Sequence, residues 1–75
     1  MSAATVARAT RLFRALDVDH NERITRGAVY KALSQLDPTL TEQQLDYAAS
    51  LRNTFRLSDL LDVLARLERG DESGG

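Results

Sequence analysis

The sequence of 75 residues contains no cysteine, one proline and one methionine. The absence of cysteine excludes disulfides, zinc sites built on thiolates and cysteine nucleophiles. With 43% hydrophobic and 28% charged residues, the composition is that of an ordinary soluble globular domain. A chain of this length predicts one small domain, near the size at which a single core is only marginally stable.

Long hydrophobic runs are also missing. No stretch approaches the roughly 20 apolar residues that cross a bilayer. The N-terminal residues 1–5 show neither a secretory signal nor a myristoylation pattern. We therefore expect a cytoplasmic protein with no membrane partner.

The sequence has no excess of basic residues, and its formal net charge is −1. Phosphate contacts need a basic excess, so we expect no nucleic-acid partner. Residues 1–36 carry six basic and three acidic side chains (+3), whereas residues 37–75 carry four basic and eight acidic ones (−4). Either the two halves attract each other weakly across solvent, or the acidic half receives a basic partner.

Apolar residues at three- and four-residue spacing predict four helices and an all-α fold. The first helix is predicted from Ala3 to Leu16 and the second from Arg26 to Leu36. The second helix begins with Thr25 as a candidate N-cap. It stops near Leu36 because Pro38 disfavours the helical conformation for the residue before it.

The second half of the chain predicts two more helices. Residues 41–44 form a capping box, with a hydroxyl at the N-cap and an amide three residues later, and this helix ends near Leu51. Ser58 is the predicted cap of the fourth helix, which Gly70 ends. We expect the polar residues 71–75 to be disordered.

A very short strand is predicted between the helices of each pair. Ile24 has the β-branched side chain that favours a strand, and Phe55 lies in the second such stretch, Thr54 to Arg56. We expect Ile24 to lie beside Phe55 and to join the two pairs of helices.

The segment from Asp17 to Ala28 carries oxygen ligands at alternate positions, as the first half of a twelve-residue calcium loop does. Its second half departs from that pattern. The sixth position, where a sharp turn needs glycine, holds Glu22, and the twelfth, where a glutamate closes the shell, holds Ala28. We expect no calcium cofactor at cytosolic concentrations and at most weak, millimolar-range binding. The candidate metal ligands are Asp17, Asp19, Asn21, the Arg23 carbonyl and a water held by Thr25.

Two helix pairs, each bridged by a loop with one β-position, resemble the paired EF-hand domain of calmodulin and of myosin light chains. The resemblance places one such domain at residues 1–70, with a first hand at about 3–36 and a second at about 41–69. In the second hand, Asp59 stands where the closing glutamate would be. Only ten positions separate Leu45 from Phe55, about five too few for a full loop. We expect this hand not to hold calcium.

The resemblance to myosin light chains implies a calcium-independent adaptor that holds a basic amphipathic helix, the IQ motif, in an apolar groove. The partner would be a larger protein such as an unconventional myosin, and an association with the cytoskeleton would follow. Grooves that bind many partners are rich in methionine. The single methionine here is Met1, which favours one dedicated partner over many. The implied groove residues are Phe13, Leu16, Leu33, Leu36, Leu45, Ala48, Phe55, Leu60, Leu61 and Leu64. The acids that would face the partner are Asp37, Glu42, Asp46, Asp59 and Asp62.

Two other functions stay open. One is a calcium sensor or buffer that uses the first loop, and the other is a self-associating module that buries an open apolar face in a homodimer. An enzyme is not expected, because the single histidine, His20, has no serine and aspartate placed to form a triad with it. A helix-turn-helix DNA-binding protein is disfavoured, because residues 26–36 carry two basic side chains and no asparagine that reads bases.

Overall fold

Four helices and one small sheet make up the protein in a computed structural model that describes residues 2–69. The predicted all-α architecture with four helices and a minimal β-bridge is confirmed. The predicted helix stop at Gly70 and the tail at 71–75 lie outside the described residues. The elements are α1 (Ala3–Leu16), β1 (Ile24–Thr25), α2 (Arg26–Leu36), α3 (Glu42–Ala49), β2 (Thr54–Phe55) and α4 (Leu57–Arg69).

Hydroxyl side chains begin the first three helices. Ser2 Oγ accepts from the amide of Thr5, and Thr25 Oγ1 accepts from the amide at position 28, as predicted for an N-cap. The predicted capping box of α3 is confirmed. Thr41 Oγ1 accepts from Gln44 N at 3.1 Å, and Gln44 Oε1 accepts from Thr41 N at 2.8 Å. α3 ends at Ala49, two residues before the predicted end, and continues into a turn.

The start of α4 corrects the prediction that Ser58 caps this helix. The helix begins at Leu57, so Ser58 is its second residue and lies exposed. Asp59 supplies the capping hydrogen bond at this end of the helix. Its Oδ2 accepts from the amide of Arg56 at 3.0 Å. A carboxylate in the third helical position reaches back to the residue before the helix, and its charge complements the helix dipole.

The two strands join the halves of the chain. They are antiparallel, with Ile24 opposite Phe55 and Thr25 opposite Thr54, which confirms the predicted pairing. Ile24 and Phe55 are buried, so the inner face of the sheet belongs to the hydrophobic core. A cross-strand pair of a β-branched and an aromatic residue is a favourable combination in a sheet.

The helices close around this pair. α2 packs against α3, and α1 packs against both α2 and α4. Ala9 and Phe13 from α1 are buried, whereas Val6, predicted on the same stripe, is 38% exposed. The later turns of α1 therefore belong to the core, whereas its first turns lie near the surface. The largest fully buried side chains are Phe55, Leu33, Leu60, Leu64 and Val29.

The capping box of α3 predicts a measurable cost for Thr41→Ala. The substitution removes the acceptor for the Gln44 amide, and we expect the free energy of unfolding to fall by about 1 kcal/mol in urea denaturation. Gln43→Ala, in the same exposed turn, is the control and should change stability by less than about 0.5 kcal/mol. Equal losses in the two variants would contradict the role of the box.

Candidate functional site

Asp17, the first candidate metal ligand, closes the loop through its own hydrogen bonds. It follows α1 directly and is only 7% exposed. Its Oδ1 accepts from the amide of Asn21 at 3.1 Å, and its Oδ2 accepts from the amide of Glu22 at 2.8 Å. The Asp17 carbonyl accepts from the amide of His20 at 3.1 Å. Both carboxylate oxygens therefore serve the loop backbone.

These hydrogen bonds hold a strained backbone. His20 and Glu22 have φ angles of 53° and 64°, in the left-handed region. A residue with a Cβ pays roughly 1–2 kcal/mol there, and Glu22 occupies the position where a calcium loop prefers glycine. The bond from the Glu22 amide to Asp17 offsets part of this cost. A second local bond, from the Arg23 amide to Asn21 Oδ1 at 3.1 Å, continues the turn.

The structure places the other four candidate ligands at the surface. Asp19, Asn21, Arg23 and Thr25 are exposed. Asn21 and Thr25 use their side-chain oxygens within the loop and at the start of α2. Within residues 2–69, no three His, Cys, Asp or Glu side chains are grouped to hold a metal ion.

This donor set fits calcium poorly. Calcium takes about 6–8 oxygen ligands. Ala28, at the twelfth position of the loop, contributes no side-chain oxygen. One acceptor position on each Asp17 oxygen is taken by an amide hydrogen, and Asn21 Oδ1 accepts a third amide. The arrangement is that of a loop whose shape is set by hydrogen bonds within the protein.

A single arginine ties the first half of the chain to the second loop, residues 50–53. Arg26 Nε donates to the carbonyl oxygen of Arg52 at 2.8 Å, and its Nη2 donates to Asn53 Oδ1 at 2.7 Å. Sequence reasoning missed this role because the partners lie 26 and 27 residues away and no local pattern marks them. Arg26 lies beside the β1–β2 pair and supports the same junction.

The residues implied to line a partner groove form the core instead. Eight of the ten are buried, and only Leu16 and Leu61 are half-buried. In this conformation these side chains are covered by the protein itself, and the partner groove stays a prediction. The apolar faces cover one another, because α1 packs against α2 and α4, and α3 packs against α2. The buried eight are Phe13, Leu33, Leu36, Leu45, Ala48, Phe55, Leu60 and Leu64.

Two of the five acids expected to face a partner lie together. Glu42 and Asp46 are exposed and stand one turn apart on α3. Tyr30 is half-buried on α2, and partial burial together with the Glu42 and Asp46 carboxylates raises the pKa of its phenol. Both carboxylates are therefore near enough to Tyr30 to disfavour its ionised form.

The remaining three acids have local roles. Asp37 Oδ1 accepts from the amide of Thr39 in the turn after α2. Asp59 caps α4 and approaches Arg52, with 3.5 Å between Oδ1 and Nε. Asp62 is exposed and lies 3.9 Å from Arg66 in a loose ion pair on the surface of α4. Asp59 and Asp62 also line one shallow cleft together with Arg52 and Arg66, so their charges are partly offset by nearby guanidinium groups.

The hydrogen bonds of Asp17 predict a structural role that needs no metal. In a chelating buffer, we expect Asp17→Ala to lower the free energy of unfolding by roughly 2 kcal/mol, because two amides lose a buried acceptor. Asp19→Ala, which removes the neighbouring exposed carboxylate, should cost less than about 0.5 kcal/mol. Urea denaturation measures both, and equal small losses would contradict the role assigned to Asp17.

The left-handed backbone at Glu22 predicts a stabilising substitution. Glu22→Gly should raise the free energy of unfolding by about 1 kcal/mol, because glycine adopts this φ without steric cost. Glu22→Ala keeps the Cβ and removes the charge, so it separates backbone strain from electrostatics and should give no such gain. Thermal unfolding in chelator measures the difference, and a gain in both variants would point to charge repulsion.

Comparison with protein-family models, with curated proteins and with solved structures found no match in any of the three. Within residues 2–69, no helix has both the length and the apolar character needed to cross a bilayer.

Proposed function

We propose that this protein is a single pair of EF-hand-like units that acts as a calcium-independent adaptor for a basic amphipathic helix of a larger protein, such as a myosin neck. The observation that carries the proposal is the Asp17 carboxylate, both of whose oxygens accept backbone hydrogen bonds. A loop held in this way keeps its shape without a cation. The helix faces then remain as the part that can recognise a partner.

The arrangement of elements supports the EF-hand-like pairing. Each half consists of a helix, a loop that ends in a two-residue strand, and a second helix. The strands pair antiparallel through Ile24 and Phe55. Arg26 adds two hydrogen bonds from the start of α2 to the opposite loop. The two units are thus joined at their loops, which leaves the far ends of the helices to respond to a ligand.

The two exposed acids of α3, Glu42 and Asp46, favour a partner with basic side chains. Neither Glu42 nor Asp46 forms an ion pair in the described part of the chain. Like charges one turn apart on a helix destabilise it by a few tenths of a kcal/mol. A lysine or arginine of a bound helix would remove that repulsion and would also lie close to Tyr30.

A helix laid into this lobe must separate elements that are packed in the free protein. Leu60 and Leu64 of α4 are at most 1% exposed, whereas Leu16 and Leu61 already reach the surface. The partner would first contact the half-buried leucines and then the deeper ones as α1 and α4 move apart. Its affinity is lowered by the free energy of that opening.

Calorimetric titration of the 75-residue protein with a synthetic IQ-type helical peptide tests the proposal. We expect the dissociation constants in calcium and in chelator to agree within about twofold, because no cation controls the lobe. The double variant Glu42→Gln/Asp46→Asn replaces both α3 acids with neutral amides, and we expect it to bind the peptide about fivefold more weakly. Asp19→Asn, which removes an exposed acid from the loop, is the control and should bind as the unchanged protein does.

Three results would contradict this function. The first is the absence of peptide binding in both buffers. The second is a micromolar calcium heat that Asp17→Ala abolishes, which would establish the sensor or buffer. The third is a sedimentation mass of twice the monomer without peptide binding, which would establish the self-associating module.

A further inference from the structure

A cleft of about 500 Å³ opens between the end of α1, the first loop and the start of α4. Three arginines from these separate segments line it, Arg14, Arg23 and Arg56, and all three are exposed. Phe13 and Leu57 provide apolar surface between them, with Leu57 half-buried. The volume lies within the range of about 300–1,000 Å³ that is usual for ligand sites.

The three guanidinium groups are available to a ligand. Within residues 2–69 they form no hydrogen bond or ion pair. Other arginines of the protein are engaged. Arg26 donates twice to the second loop, and Arg8 donates to the Gln35 carbonyl at 3.2 Å. The guanidinium groups around the cleft therefore keep all their donors free, and each has five N–H groups.

The acidic residues at the cleft offset this charge only in part. Asp17 lines the cleft and keeps its negative charge, but it is only 7% exposed and its oxygens accept loop amides. Glu22 is exposed and carries the one carboxylate of the cleft with no hydrogen bond among the described residues. Arg52 and Asp59 meet at an adjoining cleft, which also includes Arg23 and Arg56. The exposed rim is thus mainly guanidinium.

We infer that this cleft binds an acidic peptide segment in which carboxylates flank an apolar side chain. The carboxylates would pair with guanidinium groups, which match them with two parallel N–H bonds. The apolar side chain would cover Leu57 and the edge of Phe13. A single phosphate would fill only a small part of the cleft and would leave its apolar surface exposed to water.

This site goes beyond the adaptor function, and its charged groups lie elsewhere, although Phe13 belongs both to the cleft and to the implied partner groove. It lies at the loop and at the start of α4, whereas the acidic pair Glu42 and Asp46 lies on α3. The two surfaces also have opposite charge preferences. A protein that holds a basic helix at one surface would recruit an acidic segment at the other, and either binding event can fail without the other.

An NMR titration of the 75-residue protein with a blocked pentapeptide, four glutamates around a central leucine, tests the inference. We expect amide shifts that cluster at Arg23, Arg56 and Leu57, and weaker binding at high salt because these charges are exposed. Arg23→Gln and Arg56→Gln should each weaken binding about threefold. Arg11→Gln, which removes an exposed arginine of α1 outside the cleft, is the control and should leave the affinity unchanged.

Two further titrations test whether the cleft requires carboxylates and whether a small anion alone is sufficient. A peptide with four glutamines around the same leucine should bind at least about threefold more weakly, and inorganic phosphate at equal concentration should not reproduce the shifts. The inference is overturned if the glutamine peptide binds equally, if Arg11→Gln weakens binding as much as Arg56→Gln, or if no amide at the cleft shifts. Full reproduction of the shifts by phosphate would overturn the peptide assignment in favour of a small-anion site.

Discussion

The carboxylate of Asp17 is the interaction on which the arrangement of the two halves depends. It lies at the end of α1 and accepts the amides of Asn21 and Glu22. These bonds turn the backbone through the left-handed conformation at Glu22 and direct the chain into β1. Ile24 then meets Phe55, and the core closes around that pair. An aspartate at this place does with backbone amides what a bound cation does in a calcium loop.

The first loop is held closed by hydrogen bonds within the protein. A loop that is already closed in the free protein offers a cation little further change to make, so a switch based on loop closure has little to act on. Recognition would then depend on the helix faces and on the charges around them. The acidic pair lies exposed on α3, and three arginines with no side-chain partner within residues 2–69 line the cleft beside α4. If both proposals hold, the domain would bind two partners of opposite charge at different surfaces.

Local features of the chain were predicted well because their causes are local. The bounds of α1 and α2 follow from apolar spacing together with Pro38, and the capping box of α3 follows from two side chains three residues apart. The predicted start of α4 was wrong because either Ser58 or Asp59 can cap a first turn in this segment, which reads Leu57, Ser58, Asp59. Packing of Leu57 and Leu60 against the core selects one of them.

The candidate site shows where sequence reasoning stops. The pattern of Asp17, Asp19 and Asn21 predicted a loop with a defective calcium shell, yet it did not distinguish the buried Asp17 from the exposed Asp19. The roles of Arg26 and of the arginine cleft had no local signal, since their contacts and neighbours come from distant segments. The leucine stripes were identified, but whether they form a groove or a core depends on how the helices meet.

The sequence by itself determined the helices, the two short strands and the missing closing ligand of the loop, because spacing, capping and side-chain chemistry act within a few residues. The tertiary structure decided which side chains are covered. It buries eight of the ten implied groove residues, and it brings together at one cleft three arginines whose guanidinium groups have no partner within residues 2–69. Such outcomes depend on helix-to-helix packing, in which each apolar face is buried by whichever other face lies against it.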